Sequence, residues 1–129
     1  MHKIDIEHKP VYVFHSIEPV MKADMQAIIE MGNQLIAENE PFALVMVSVG
    51  EDSKDREKGA NAMLTQWVKE SKSELQRLCA GMASVVATSR LMAIYKPIMK
   101  SVGSRMYGFP LEMFTDIEEA KQWARSQLA

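Results

Sequence analysis

The side chains of this chain that could act as nucleophiles or bases are few, and they lie far apart in the sequence. The one cysteine is Cys79, and the three histidines are His2, His8 and His15. Nucleophilic catalysis needs a Cys or Ser within hydrogen-bonding reach of an oriented base, and no histidine is near Cys79 in sequence. We therefore predict that Cys79 is a small buried residue and that the protein has no catalytic residue.

Patterns for metal, phosphate or cofactor binding are equally weak. A metal ion needs three or four converging ligands, and His8 and His15 have no carboxylate pair clearly placed beside them. Residues 103–108 have the glycine spacing of a P-loop, but Phe109 and Pro110 follow where a Lys and a hydroxyl would reach the phosphates. The sequence thus predicts neither a metal site nor a cofactor.

Residues 90–107 form the segment best suited to a binding surface, because apolar side chains alternate there with cationic ones. The candidate contact residues are Met92, Tyr95, Lys96, Met99, Lys100, Arg105, Met106 and Tyr107. Such an amphipathic segment could lie on an anionic membrane surface, bind a partner helix or cover an apolar pocket. An ordinary surface helix with one face on a sheet shows the same stripe, so that simpler interpretation stays open.

Length, charge and hydropathy exclude several classes of protein. The 129 residues are 47% hydrophobic with a net charge of −2, which indicates one globular domain and argues against nucleic-acid binding. No run approaches the ~18 apolar residues of a membrane span. The first residues lack the apolar stretch of a signal peptide, and the lone cysteine suits a reducing compartment. We expect a cytoplasmic protein.

Two features of the composition are uneven. The chain has 11 methionines, which suit either an irregular core or an adaptable binding surface because Met is flexible and polarizable. Residues 1–64 hold 6 basic and 11 acidic side chains, whereas residues 65–129 hold 9 and 6. The acidic first half and the basic second half place the cationic segment 90–107 in a stretch without acids.

The elements that must position these residues follow from hydrophobic periodicity. Apolar or β-branched runs at 11–17, 42–49, 82–87 and 111–114 predict strands, and the alternating residues 3–7 predict the first arm of a hairpin. Helical spacing predicts helices over about 18–39, 56–78 and 90–102, and from 115 onward. Gly32 lies on the apolar stripe of the first helix, where it would let that helix approach the sheet closely. The sequence predicts an α/β domain with a mixed sheet of about five strands, four helices and an N-terminal β-hairpin.

Two segments carry a family resemblance. Residues 110–125 read Pro-Leu-Glu-Met-Phe-Thr-Asp-Ile-Glu-Glu-Ala-Lys-Gln-Trp-Ala-Arg, and residues 79–86 read Cys-Ala-Gly-Met-Ala-Ser-Val-Val, followed by Ser89 and Arg90. With the order of elements, they resemble the SpoIIAA-like branch of the STAS superfamily. The resemblance implies a small mixed sheet used for binding instead of catalysis. Other SpoIIAA-like proteins resemble lipid-binding CRAL-TRIO domains, so it also implies that a small apolar ligand is enclosed.

The leading prediction is therefore a non-enzymatic module that binds a small apolar ligand, a lipid or a protein partner through residues 90–107. The same resemblance implies an alternative, because anti-sigma-factor antagonists carry a phosphorylatable Ser after their central strand. Ser53 lies nearest that place, with Ser48 second, although the Asp-Ser-Ser-Gly type motif is absent and neighbouring acids would repel a phosphate. Ser53 as a helix cap competes with this role. The alternative is a regulatory interaction domain, as a homodimer or against a kinase-like partner, and the third is peripheral membrane association.

Overall fold

The computed structural model describes residues 2–17, 20–49, 57–98 and 108–128, and these residues form an α/β domain. The strands are β1 (His2–Asp5), β2 (Val11–Ile17), β3 (Phe42–Val49), β4 (Cys79–Val85) and β5 (Leu111–Phe114). The helices are α1 (Lys22–Glu38), α2 (Ala60–Glu70), α3 (Lys72–Leu78), α4 (Ser89–Ile98) and α5 (Ile117–Leu128). The predicted fold class, with its hairpin followed by alternating helices and strands, is confirmed.

The five strands form one mixed sheet in the order β1-β2-β3-β4-β5. β1 pairs antiparallel with β2, and every other neighbouring pair is parallel. Successive residues of a strand point to opposite faces of a sheet, so β2, β3 and β4 each contribute buried residues to two separate cores. Tyr12, Leu44 and Met82 belong to the face that α1, α2 and α3 cover, here called the α1–α2 face. The opposite face is covered by α5 and is called the α5 face.

The predicted helix over 56–78 is two helices in the structure, which raises the number of helices in the described residues from four to five. The backbone at Ser71 leaves the helical region, with φ −102° and ψ 10°. Hydrogen bonds of 2.9 Å from Ser71 N–H to Trp67 O and from Leu75 N–H to Ser71 O still carry the chain across this break. A serine favours such a position because its side chain competes with helical hydrogen bonding.

Gly32 has a different packing partner from the one that its sequence position predicts. A Cβ atom at position 32 would lie 2.6 Å from Cζ2 of Trp67, which belongs to α2. The glycine therefore makes room for the indole ring between α1 and α2, and the ring's Nε1 donates a hydrogen bond of 2.8 Å to Asn33 Oδ1. The expectation that Gly32 brings α1 close to the sheet was wrong, because helical spacing shows a stripe but not what lies on it.

Candidate functional site

A cavity of about 230 Å³ lies between the α1–α2 face of the sheet and the helices that cover it. Its apolar lining consists of Met25, Ile28, Met31, Leu44, Met46, Leu64, Trp67, Val68, Leu75, Met82 and Phe109. For comparison, a dry apolar cavity of roughly 150 Å³ is large enough to bind benzene. This one therefore has room for a molecule of one or two rings, or for a short acyl chain.

Methionine side chains supply much of this lining. Met25 and Met31 reach the cavity from α1, while Met46 and Met82 reach it from β3 and β4. Met25 is buried and the other three are half-buried. Because the thioether chain is flexible and polarizable, such walls adapt to ligands of different shape. Part of the high methionine content therefore lies around this cavity, which favours the binding interpretation of that composition.

Three serines line the same cavity, one from each of three adjacent parallel strands. Ser16 of β2 stands beside Ser48 of β3 in the strand register, and Ser84 of β4 stands beside Met46 of β3. Ser16 is only 9% exposed, Ser84 is half-buried and Ser48 is exposed, so the hydroxyls run from the interior towards solvent. All three lie towards the carboxyl ends of their strands, where open α/β sheets bind their ligands.

The three hydroxyl groups are free to bond a ligand. Within the part of the chain that the structure describes, no hydrogen bond engages the side chain of Ser16, Ser48 or Ser84, and the hydroxyls of Ser16 and Ser84 are not sealed from solvent. A hydroxyl both donates and accepts hydrogen bonds. This end of the cavity is therefore polar in character, while its other walls are apolar.

Two backbone N–H groups at the start of α1 already donate hydrogen bonds to carboxylates of the protein. Asp24 Oδ2 accepts a hydrogen bond of 2.7 Å from Met21 N–H, and Glu57 Oε2 accepts one of 2.7 Å from Lys22 N–H. Asp24 Oδ1 also lies 2.6 Å from His2 Nδ1, whose ring stacks on Phe14. Burial alone would raise the pKa of Asp24, but hydrogen bonds to its carboxylate, including those from Met21 and His2, outweigh burial and lower the pKa to about 2.

Only part of the predicted binding segment, residues 90–98, lies within the described residues. Met92 and Lys96, on α4, line a shallow groove against β5 and α5, and neither lines the cavity. Lys96 Nζ lies 3.3 Å from Glu112 Oε1, so this cation is paired within the domain. Tyr95 lies on the same helix. The other predicted residues, Met99, Lys100, Arg105, Met106 and Tyr107, lie outside the described residues, as does Ser53.

Cys79 is buried, as its sequence context predicts. The residue is 4% exposed, and its Sγ donates a hydrogen bond of 3.6 Å to the carbonyl of Gly81. Burial raises the pKa of the thiol to about 12. The thiolate, which is the nucleophilic form, is therefore scarce at neutral pH.

A cluster that the sequence analysis did not single out lies in the turn after β1. One ligand-type atom each of Asp5, Glu7 and His8 lies within 4.8 Å of the others. Asp5 Oδ1 accepts a hydrogen bond of 2.8 Å from Glu7 N–H, which is the main reason that the pKa of Asp5 is lowered. The close spacing of these three residues in the sequence could have indicated the cluster. The hydrogen bond fully accounts for the position of Asp5 as part of the turn.

Fold and cavity together define the class of this protein: an α/β domain with an apolar chamber between sheet and helices and hydroxyl groups at one end of it. No family model, no curated protein and no solved structure matches the chain. The resemblance to the STAS superfamily stays a prediction. In the described residues, none of the helices combines the length and the hydropathy that a bilayer crossing requires.

Proposed function

We propose that this protein is a non-enzymatic binding module that holds a small, mainly apolar ligand in the cavity between the sheet and helices α1 and α2. The observation that carries the proposal is the cavity itself, about 230 Å³ in volume and lined by eleven apolar side chains. Protein interiors are normally packed to crystal-like density, so an apolar cavity of this size offers room and contact area that a ligand can use.

The chemistry of the lining supports binding without catalysis. Among the described residues that line the cavity, none is charged and none is a histidine or a cysteine. His2 is the cross-strand neighbour of Ser16, and its Nδ1 lies 2.6 Å from Asp24 Oδ1. In the described residues, however, no hydrogen bond joins this ring to the Ser16 hydroxyl, as activation of a nucleophile requires. Cys79, the other nucleophile considered, is buried with a raised pKa.

Methionine methyl groups offer a direct test of the ligand's position. In protein with isotope-labelled methionine methyls, toluene should shift the signals of Met25, Met31, Met46 and Met82, which line the cavity. The signal of Met92, on α4 outside the cavity, serves as the internal control. Shifts confined to Met92 would move the binding site to the predicted 90–107 segment. No shift at the four cavity methyls would contradict the proposal.

Native mass spectrometry of the purified protein tests whether a natural ligand is retained. We expect an adduct that is lost on denaturation. A matched variant is Leu44→Phe, which adds a larger side chain to the cavity lining and should reduce the adduct. An adduct that persists unchanged in Leu44→Phe would have to lie elsewhere on the protein.

A regulatory interaction domain is the second candidate, and the exposure of Ser48 favours it. Ser16, Ser84 and Ser48 form what we call the serine row, and the Ser48 hydroxyl lies at its exposed end, where a kinase could reach it. A phosphate there would add negative charge and strong hydrogen-bond acceptors. Incubation with cell extract and ATP should then add one phosphate to the wild type and none to Ser48→Ala. An unchanged mass of the wild type would count against this function, and a phosphate retained in Ser48→Ala would point to Ser53 instead.

A further inference from the structure

The cavity is divided between an apolar body and one polar end. Eleven of its lining residues are apolar, while Ser16, Ser48 and Ser84 place three hydroxyls on neighbouring strands. A ligand without polar atoms would fill the apolar part and shield the hydroxyls of Ser16 and Ser84 from water without giving them hydrogen bonds. Since polar groups removed from water need partners, the serine row calls for a ligand group that can donate or accept hydrogen bonds.

The surroundings of that polar end disfavour an anionic group. No cationic side chain lines the cavity among the residues that the structure describes. The first N–H groups of a helix can bind an anion, but at α1 those of Met21 and Lys22 already donate to Asp24 and Glu57. A ligand carboxylate near the start of α1 would meet two protein carboxylates, and the N–H groups of Met21 and Lys22 would not be free to bind it.

We infer, on the basis of the proposed function, that the cavity selects a small neutral amphiphile. The ligand has a body of one or two rings or a short alkyl chain, which contacts the methionines and Trp67. Its single uncharged polar group is a hydroxyl or carbonyl, which hydrogen-bonds to the serine row formed by Ser16, Ser48 and Ser84. The size of the body follows from the cavity volume of about 230 Å³.

Three one-ring probes separate the body from the polar end: toluene is apolar, benzyl alcohol is neutral and polar, and benzoate is anionic. Each is titrated at neutral pH into the full chain with labelled methionine methyls, and Kd is obtained from the shifts of Met25 and Met46. We expect benzyl alcohol to bind at least about tenfold more tightly than benzoate, because a buried charge without a partner is unfavourable. Toluene should bind as well, since it occupies the apolar part.

Serine variants test which residues hold the polar group. Ser16→Ala and Ser84→Ala should each weaken benzyl alcohol by roughly fivefold, which corresponds to about 1 kcal/mol for one hydrogen bond. Toluene affinity should stay the same or rise slightly. Ser73→Ala, at an exposed position of α3, is the matched control and should change neither Kd. Unchanged toluene binding also shows that the variants remain folded.

The outcomes keep the inference separate from the proposed function. If toluene and benzyl alcohol bind but benzoate binds equally well, the neutral-ligand inference is overturned and the cavity remains a binding site. The inference is also overturned if Ser16→Ala and Ser84→Ala weaken toluene and benzyl alcohol equally, or weaken neither. If no probe shifts the cavity methyls, the proposed function fails together with the inference.

Discussion

The two faces of the sheet differ in how closely helices pack against them. On the α5 face, the small residues Ala43, Ala83, Ala120 and Ala124 are all 0% exposed, so α5 lies close against the strands. On the α1–α2 face, the same strands present long side chains such as Leu44, Met46 and Met82 together with three serines, and a cavity of about 230 Å³ remains. Small residues allow close approach and full contact, whereas long, flexible methionine side chains can rearrange around a ligand. One face is therefore tightly packed, and the other is the face on which we propose that a ligand binds.

Gly81 strengthens the contrast. A Cβ atom there would lie 3.0 Å from Cη2 of Trp123 and 3.1 Å from Cγ of Gln127, both on α5. One additional carbon at this position would be tighter than an ordinary contact, so Trp123 or Gln127 would have to move by a few tenths of an ångström. Enlarging a residue on this face should be costly, while a comparable enlargement on the α1–α2 face should be tolerated.

The largest expected effect is that of Ala120→Leu. Ala120 is fully buried in the α5 face, and the added carbons would force α5 away from the sheet. We expect a loss of about 3 kcal/mol in the free energy of unfolding, the upper end for overpacking, measured by urea denaturation. Ala93→Leu, at an exposed position of α4, is the control and should change stability by less than about 0.5 kcal/mol. Equal effects at both positions would remove the evidence that the α5 face is full.

Gly32→Ala tests a place where the α1–α2 face is also tight. An alanine in a helix normally gains about 0.5–1 kcal/mol over glycine, but this Cβ would collide with the ring of Trp67. We expect a net loss of about 1–2 kcal/mol in the wild type. In a Trp67→Leu background, the same substitution should instead be stabilising. A loss that persists without the indole would show that some other contact requires Gly32.

Leu44→Phe and Val45→Leu compare the two faces at neighbouring positions of β3. Leu44 lines the cavity, and Val45 is fully buried in the α5 face. Each substitution enlarges the side chain slightly. We expect Leu44→Phe to change the free energy of unfolding by less than about 1 kcal/mol and Val45→Leu to lower it by about 1–2 kcal/mol. If Leu44→Phe were the more destabilising, the cavity would not have the room that its volume indicates.

The sequence predicts the strands and helices that form the two faces, but not the difference in packing between the faces. The apolar or β-branched runs at 11–17 and 42–49 predict strands, and strand geometry then predicts that Leu44 and Val45 face opposite ways. It does not tell which helix covers which face, because that depends on contacts between distant segments. The break at Ser71 and the packing of Trp67 on Gly32 escaped prediction for the same reason.

The candidate site could not be predicted from the sequence for the same reason, because it depends on contacts between distant segments. Ser16, Ser48 and Ser84 each stand near the end of an apolar run, so their types and positions were readable. Their alignment depends on the register between parallel strands, which pairs Ser16 with Ser48. Register is fixed by packing across the whole sheet, so no single segment specifies it. The 90–107 segment, in contrast, had a local pattern that sequence analysis could recognise.

The smallest expected effect concerns Asp24, which anchors the start of α1 above the cavity. Its pKa of about 2 in the folded protein is below the usual value of 3.8, so the ionised carboxylate stabilises the fold above about pH 4. This stabilisation is lost as the pH falls through 2. Asp24→Asn should lower stability at neutral pH by about 1 kcal/mol, as loss of a helix-capping carboxylate does, and should flatten the dependence between pH 4 and 2. Glu30→Gln, an exposed carboxylate of the same helix, should keep the wild-type slope. An Asp24→Asn slope equal to that of the wild type would show that other groups control the acid stability of the helices over the cavity.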